Sequence, residues 1–563
     1  MDMIRREGEE KDDSLSELPM LLPPDDPRAD PKRKFTRFTP NVQAKGKPPT
    51  PVSTAKGDPS SNTLKHMSYS CPGLSGLDVR MCIEPRSFDA YLSCPYPIVI
   101  PIFQRRYCWP EVQLRGWWRD ACQGFGRTTS AHTTGKTSFK MLDDDASGST
   151  SDGGMGSKQL LCIDGQQRST SMCLLLAAIR DELLSILHSA TTNDDSIVSQ
   201  ITSCVQYIQS KLFLDTVACE TWANTWVATT YSTTISSDEN AWDKVHKEGG
   251  RLETLYTGGA RLRPSYVDRK AFYELLTHGV VLHACWRQQL QHKCGRIMSL
   301  PALTETTLQS PQGLAKTIFD SCARQVERDA DNNTRVSSLI SAVRKATHHM
   351  NIMYCEVLTP INLSQVFLWM QEKSLFGMGA LLKNDNPGIP FTCGDLARNL
   401  LLCPFVMQDD VSHSQDKITT SGAISRSELQ DRMYEEKWIL PLAAPAERLQ
   451  GGLDAQVSAF VDTLDANTYS HQRVLGSMEQ QLLAMKGQMP PALEQKFGAV
   501  LQKGAPLATY ARLHGHVEEI QGAKTASTGA GHKEIDVHFE ALKVVLRQLV
   551  DFVSMASAGS AHT

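Results

Sequence analysis

The stretch Leu160-Leu161-Cys162-Ile163-Asp164-Gly165-Gln166-Gln167-Arg168-Ser169-Thr170 restricts the fold more than any other part of the chain. It opens as a continuous apolar run and reaches Asp-Gly. Beyond that point apolar residues recur at Met172, Leu175, Leu176, Ile179, Leu183 and Ile186, so the period changes from extended to helical. The pattern predicts strand, tight turn, helix. Gly165 admits backbone conformations closed to other residues. A helix starting just after it presents N–H groups and the positive end of its dipole to whatever lies above the turn. Arg168 falls in the first helical turn, where a cation is mildly unfavourable, so a task for its guanidinium explains it better than propensity does, and phosphate is the natural partner. Asp and Gly are also ordinary turn residues, and an Asx-type turn that only shapes the loop accounts equally for Asp164.

A second unit of the same kind lies upstream. Pro95 to Pro101 holds a short apolar strand that runs into Ile102-Phe103-Gln104-Arg105-Arg106-Tyr107-Cys108-Trp109-Pro110. Pro110 suits a helix start, and Leu114, Trp117, Trp118 and Ala121 give the following helix one apolar face. Gln104, Arg105 and Tyr107 sit in the turn and offer an amide, a guanidinium fork and a phenol. Either they face the same pocket as Arg168, or Tyr107 and Trp109 only pack the helix start. Between the units, Thr137 to Leu142 reads as a strand, and Asp143 to Ser157 as a flexible Gly/Ser/Asp insertion that shields the site or has no part in it.

Composition narrows the partners. Lys+Arg 58 against Asp+Glu 62 gives a formal charge of -4, so no global basic field marks a dedicated nucleic-acid binder, and any DNA contact is local. The 15 cysteines are never spaced as C-x-x-C and several lie in apolar runs, which points to reduced thiols inside a cell rather than to a disulfide scaffold or zinc ribbon. No apolar run is long enough to cross a bilayer and no secretory leader is recognisable, so the expected location is cytoplasmic or nuclear with no membrane partner. Pro31-Lys32-Arg33-Lys34 reads as an import signal or as solvated charge.

The two motifs together resemble the N-terminal domain of GmrSD-type modification-dependent restriction endonucleases, whose core is similar to the ParB and sulfiredoxin fold. The resemblance rests on Phe103-Gln104-Arg105-x-Tyr107-x-Trp109 and the Asp164-Gly165-Gln166-Gln167-Arg168 motif. It continues through Arg261-Leu262-Arg263-Pro264-Ser265-Tyr266-Val267-Asp268 and resumes at Asp395-Leu396-Ala397-Arg398-Asn399, with Gln371 where the family has Asn. It implies an α+β fold: a small ParB/sulfiredoxin-like mixed α/β core embedded in a large, mainly α-helical assembly. The expected organisation is a disordered tail at 1–75, the core at 76–190, its helical continuation at 191–405 and a C-terminal helical region at 406–563. No His-x-x-Pro start of a metal-finger nuclease domain is found.

The resemblance implies an NTP with Mg²⁺ as cofactor, and DNA and a separate nuclease or other protein as partners. Arg105 and Arg168 would clamp phosphate oxygens, and Gly165, with Ser169 and Thr170 in the first turn of the helix, would cradle them. Asp164 would hold the divalent ion or position an attacking water, with Gln166 and Gln167 orienting nucleotide or water, so Asp164 and Gln167 are the catalytic candidates and Gln104 and Tyr107 further cofactor contacts. A binding module without chemistry and a protein-interaction scaffold remain open. Asp395 reads as a helix cap through Thr392-x-x-Asp395, with Arg398 and Asn399 as alternative ligands. His514, His516, His532 and His538 lack the accompanying spacing of a metal site.

Overall fold

The computed structural model describes residues 66–70, 78–123, 132–143, 158–189, 195–232, 259–292, 303–357, 392–407, 432–464, 506–528 and 534–560. Seven strands, β1 (His66–Ser70), β2 (Asp78–Ser87), β3 (Ile98–Val99), β4 (His132–Asp143), β5 (Lys158–Asp164), β6 (Leu262–Arg263) and β7 (Met350–Val357), form one mixed sheet in the order β1-β2-β7-β4-β5-β3-β6. β1 lies inside the stretch expected to be an unfolded tail. It gains its order by antiparallel pairing along β2, from His66↔Cys82 to Ser70↔Asp78. The helices are α1 (Phe88–Tyr91), α2 (Glu111–Trp118), α3 (Gln166–Ser189), α4 (Asp195–Leu212), α5 (Thr216–Ser232), α6 (Tyr266–His292), α7 (Glu305–Gln309), α8 (Pro311–Gln325) and α9 (Asn332–Arg344). Toward the C-terminus follow α10 (Cys393–Met407), α11 (Ala444–Ala446), α12 (Gly452–Thr463), α13 (Pro506–Thr528) and α14 (Glu534–Ser560). The fold is α+β and mostly helical. The helical pattern at Val474 to Met485 and the one around Gln371 lie outside the described residues.

β5 shows why the sheet is covered on both sides. Leu160 and Cys162 enter the core that holds α3, while the alternate residues Leu161 and Ile163 enter the core that holds α10, α12 and α14. A strand buried on both faces reads as an unbroken apolar run, which is the pattern of 160–163. Its partner β4 divides in the same way, with Phe139 on the first face and Leu142 on the second.

The sequence pattern of α3 suggests one apolar face. In the structure Met172 to Ile179 are buried around the whole circumference, because α4, α6, α8 and α9 pack about the helix and the sheet lies behind it. A helix apolar on every side is a core element. The arrangement buries Arg180 completely. Its guanidinium lies beside Asp181 (2.8 Å), whose other oxygen takes a hydrogen bond from Lys316 Nζ (2.8 Å), itself bound to Asp320 (2.6 Å). Burial works to raise the Asp181 carboxyl, but Arg180 and Lys316 outweigh it and hold the pKa below the ordinary value. Gly279 of α6 leaves room for this group: a Cβ there would come within 2.1 Å of Arg180 Nη2 and Asp181 Oδ1.

His283 on α6 belongs to the same neighbourhood. Burial, then the charges of Arg287 and Arg180, push its pKa from 6.5 down to about 4. Because the folded value lies below the unfolded one, the unfolded chain binds the extra proton, and this contribution to stability is lost as pH falls from 6.5 toward 4. Replacing His283 with Gln is therefore expected to remove up to about 3 kcal/mol of acid sensitivity across that window. Paired denaturant titrations of the two proteins at pH 7 and pH 4.5 check this; identical pH dependence in both would contradict it.

Candidate functional site

β5, β3 and β6 run parallel, and each is followed by a helix: β3 by α2, β5 by α3, β6 by α6. Three helix N-termini and their connecting turns therefore meet at the carboxyl ends of three adjacent strands. In open α/β sheets this is the usual place of a ligand crevice. The sequence-derived candidates Gln104 to Tyr107 and Asp164 to Thr170 fall in two of these three connections.

The β5–α3 turn is set by close packing. Gly165 has φ +99°, and a Cβ there would fall 2.3 Å from Cγ2 and 2.7 Å from Oγ1 of Thr137 on β4. Gly165 O accepts from the N–H (3.1 Å) and the hydroxyl (3.2 Å) of Ser169, and the Ser169 hydroxyl also meets Tyr91 Oη at 2.9 Å. Arg168, half-buried, donates from Nη1 (3.1 Å) and Nη2 (3.0 Å) to Lys136 O, beside Gly135 (φ +120°) where β4 is irregular. The task anticipated for this first-turn cation is therefore met at least in part by β4. Thr170 is buried in the same turn.

The β3–α2 connection, 102–109, has no regular secondary structure; side chains from other elements fasten its backbone. The Gln104 side chain, 2% exposed, donates to Ile163 O. The Gln167 amide is engaged at both ends, accepting from Cys108 N–H (3.0 Å) and donating to Arg106 O (2.9 Å). Asp268 in the first turn of α6 accepts the Tyr107 N–H (2.8 Å) and lies 4.0 Å from Arg106 Nε. Burial raises the Asp268 carboxyl, opposed by Gln312 and the Tyr107 N–H. The Tyr107 phenol is buried, bonded to Ser171 Oγ at 2.6 Å, and pushed up by burial, so it stays protonated and packs the helix start. Trp109 stacks edge-on against Trp117 at 5.2 Å. Arg105 is carried by this loop and Arg168 by α3; burial pushes the Cys108 thiol up and Arg105 works against it.

Two of the candidates carry uncommitted polar groups. Among the described residues, neither the half-buried Asp164 carboxylate nor the Gln166 amide has a hydrogen-bond or ion-pair partner. The buried Thr137 hydroxyl likewise lacks a partner there. Sequence reasoning missed Thr137 and Asp268: their roles depend on contacts with Gly165 and with a loop 161 residues away.

Residues 88–277 match the GmrSD restriction endonuclease N-terminal domain. Over this segment the chain is similar to that domain. No curated protein matches the chain. The GmrSD segment runs from α1 into α6 and holds both motifs together with Asp268, whereas β2, β7 and α10, which complete the sheet and cover its second face, lie outside it.

Asp395 Oδ2 accepts from Thr392 N–H (3.4 Å) and Thr392 Oγ1 from Asp395 N–H (3.1 Å), a reciprocal helix cap. His516 and His538 pair with Gln548 (2.9 Å) and Gln521 (3.0 Å). No cluster of three or more metal-ligating side chains occurs among the described residues. The described cysteines form no disulfide with one another, and burial pushes up the thiols of Cys122, Cys162 and Cys173. The 144–157 insertion leaves and rejoins the sheet at Asp143↔Lys158, at the opposite end of β5 from Asp164.

Gly165→Ala is expected to cost about 3 kcal/mol, combining an unfavourable positive φ with overpacking against Thr137. Chemical denaturation measures it; a loss under about 0.5 kcal/mol, the level of an ordinary surface change, would mean the turn relaxes at no cost.

Proposed function

We propose that the crevice at the carboxyl ends of β3, β5 and β6 binds a nucleoside triphosphate with Mg²⁺, and that the protein serves as the nucleotide-dependent component of a restriction-type system acting on DNA with a separate nuclease. The core would be of the ParB/sulfiredoxin-like kind. One observation carries the reading: at the start of α3, Asp164 and Gln166 hold polar groups that the described fold does not use, beside a glycine turn where helix N–H groups favour an anion. The GmrSD N-terminal match over the same residues supports it.

The residues present fit a metal–nucleotide pair better than a metal alone. Mg²⁺ is commonly held by one or two carboxylates together with substrate phosphates; Asp164 supplies such a carboxylate, and no all-protein cage occurs among the described residues. The ion would neutralise charge on the phosphates. The turn and α3 would orient them, Gln166 would contact the nucleotide, and Arg105 would approach from the facing loop.

A second reading, binding without hydrolysis, is favoured by Gln167. Both ends of its amide hold the 106–108 backbone, so Gln167 maintains the wall of the crevice instead of orienting a water.

Because the Asp164 and Gln166 side chains make no hydrogen bonds among the described residues, Asp164→Asn and Gln166→Ala are expected to fold like the parent and to weaken Mg–NTP binding about tenfold or more, the loss of one charge-assisted contact. Calorimetric titration with ATP, GTP, CTP and UTP, followed by phosphate-release assays with and without DNA, tests this. Turnover abolished in Asp164→Asn assigns that carboxylate to the chemistry. Binding without turnover in the parent selects the second reading, and absence of binding to all four nucleotides removes the proposal.

A further inference from the structure

We propose that Arg398 is a positioning residue through which the C-terminal helical layer sets the loop that carries Arg105; this rests on the nucleotide reading of the crevice. Arg398 lies in α10 and is buried. Its guanidinium reaches across the second face of the sheet, donating from Nε to Ile102 O (2.8 Å) and from Nη2 to Gln104 O (2.8 Å). These carbonyls stand 296 and 294 residues away in sequence and come shortly before Arg105. Asp395, one turn earlier in α10, accepts from Nη2 at 2.8 Å and fixes the fork, while Nη1 donates to the Tyr434 hydroxyl at 3.3 Å. The Tyr434 ring in turn meets Tyr266, the first residue of α6, edge-on at 6.4 Å.

The arrangement has a consequence for ligand binding. With Gln104 tied to Ile163, Gln167 to Arg106 and Cys108, and Asp268 to Tyr107, the backbone is fastened on both sides of Arg105. Arg398 adds to the fastening on the N-terminal side, and of these four residues it is the one that lies outside the matched segment. A planar fork satisfies two carbonyls and a carboxylate in one geometry, which an ammonium cannot reproduce. Arg398 therefore does not bind ligand. It lowers the ordering cost of the loop when ligand binds.

The experiment is a double-mutant cycle on the full chain, reading the dissociation constants of MgATP and MgGTP. Arg398→Lys is expected to weaken binding about tenfold, and Tyr434→Phe, which removes one bond and preserves packing, about twofold. In an Arg105→Ala background, Arg398→Lys is expected to cause no further loss, because its effect acts through Arg105. Leu549→Ala, in the same core but outside the hydrogen bonds of the fork, is the control: it lowers stability and leaves binding unchanged. Additive effects of Arg398→Lys and Arg105→Ala, or unchanged binding in Arg398→Lys, overturn the positioning role and leave the nucleotide reading standing. A parent chain that binds neither nucleotide overturns both.

Discussion

The complete enclosure of α3 is the constraint on which the rest depends. The helix is apolar around its circumference from Met172 to Ile179, so it cannot lie on a surface; four helices and the sheet must surround it. Its start is then fixed by the Gly165 turn pressed on Thr137 and by Arg168 bonded to Lys136. The two halves of the helix have opposite demands. The middle requires the dry core of the fold, while the first turn stands at the rim where strand ends and helix starts meet.

Around that rim, the loop 102–109 is held by side chains where a strand or helix would use backbone bonds. An irregular segment so placed must still satisfy its N–H and C=O groups. Here Gln167, Asp268 and Arg398 meet that need from α3, α6 and α10. Such fastening gives an irregular loop the definition of a secondary-structure element. The buried charges around Arg180 follow a related logic on the other side of α3: Asp181, Lys316 and Asp320 compensate one another, and Gly279 gives them space.

Much of this was legible in the sequence. The change of period at Asp164-Gly165 located the strand, the turn and the helix, and Pro110 with Leu114, Trp117 and Trp118 located α2. The family was legible from Gln104-Arg105 and Asp164 to Arg168, and residues 88–277 match it. Local pattern did not show that α3 is buried on all sides, because small and apolar residues at Cys173, Leu174, Ala177 and Ala178 blur a one-face reading until the neighbouring helices are known. The division of labour between the two glutamines was also hidden. Gln166 and Gln167 are adjacent and chemically identical, yet one has no described partner and the other bridges Arg106 and Cys108; only the packing of the 102–109 loop distinguishes them. Ser265-x-x-Asp268 could have been recognised as a helix start, but its hold on Tyr107 spans 161 residues and leaves no local trace.

The measurement that tests the central claim most directly is amide hydrogen exchange of the full chain with and without Mg²⁺ and saturating nucleoside triphosphate. A ligand seated at the carboxyl ends of β3, β5 and β6 predicts added protection confined to the 102–109 loop, the 164–170 turn and the start of α6, since those amides face the crevice or fasten its walls. Protection that appears instead in α13 and α14, or at none of these segments, would contradict the placement of the site.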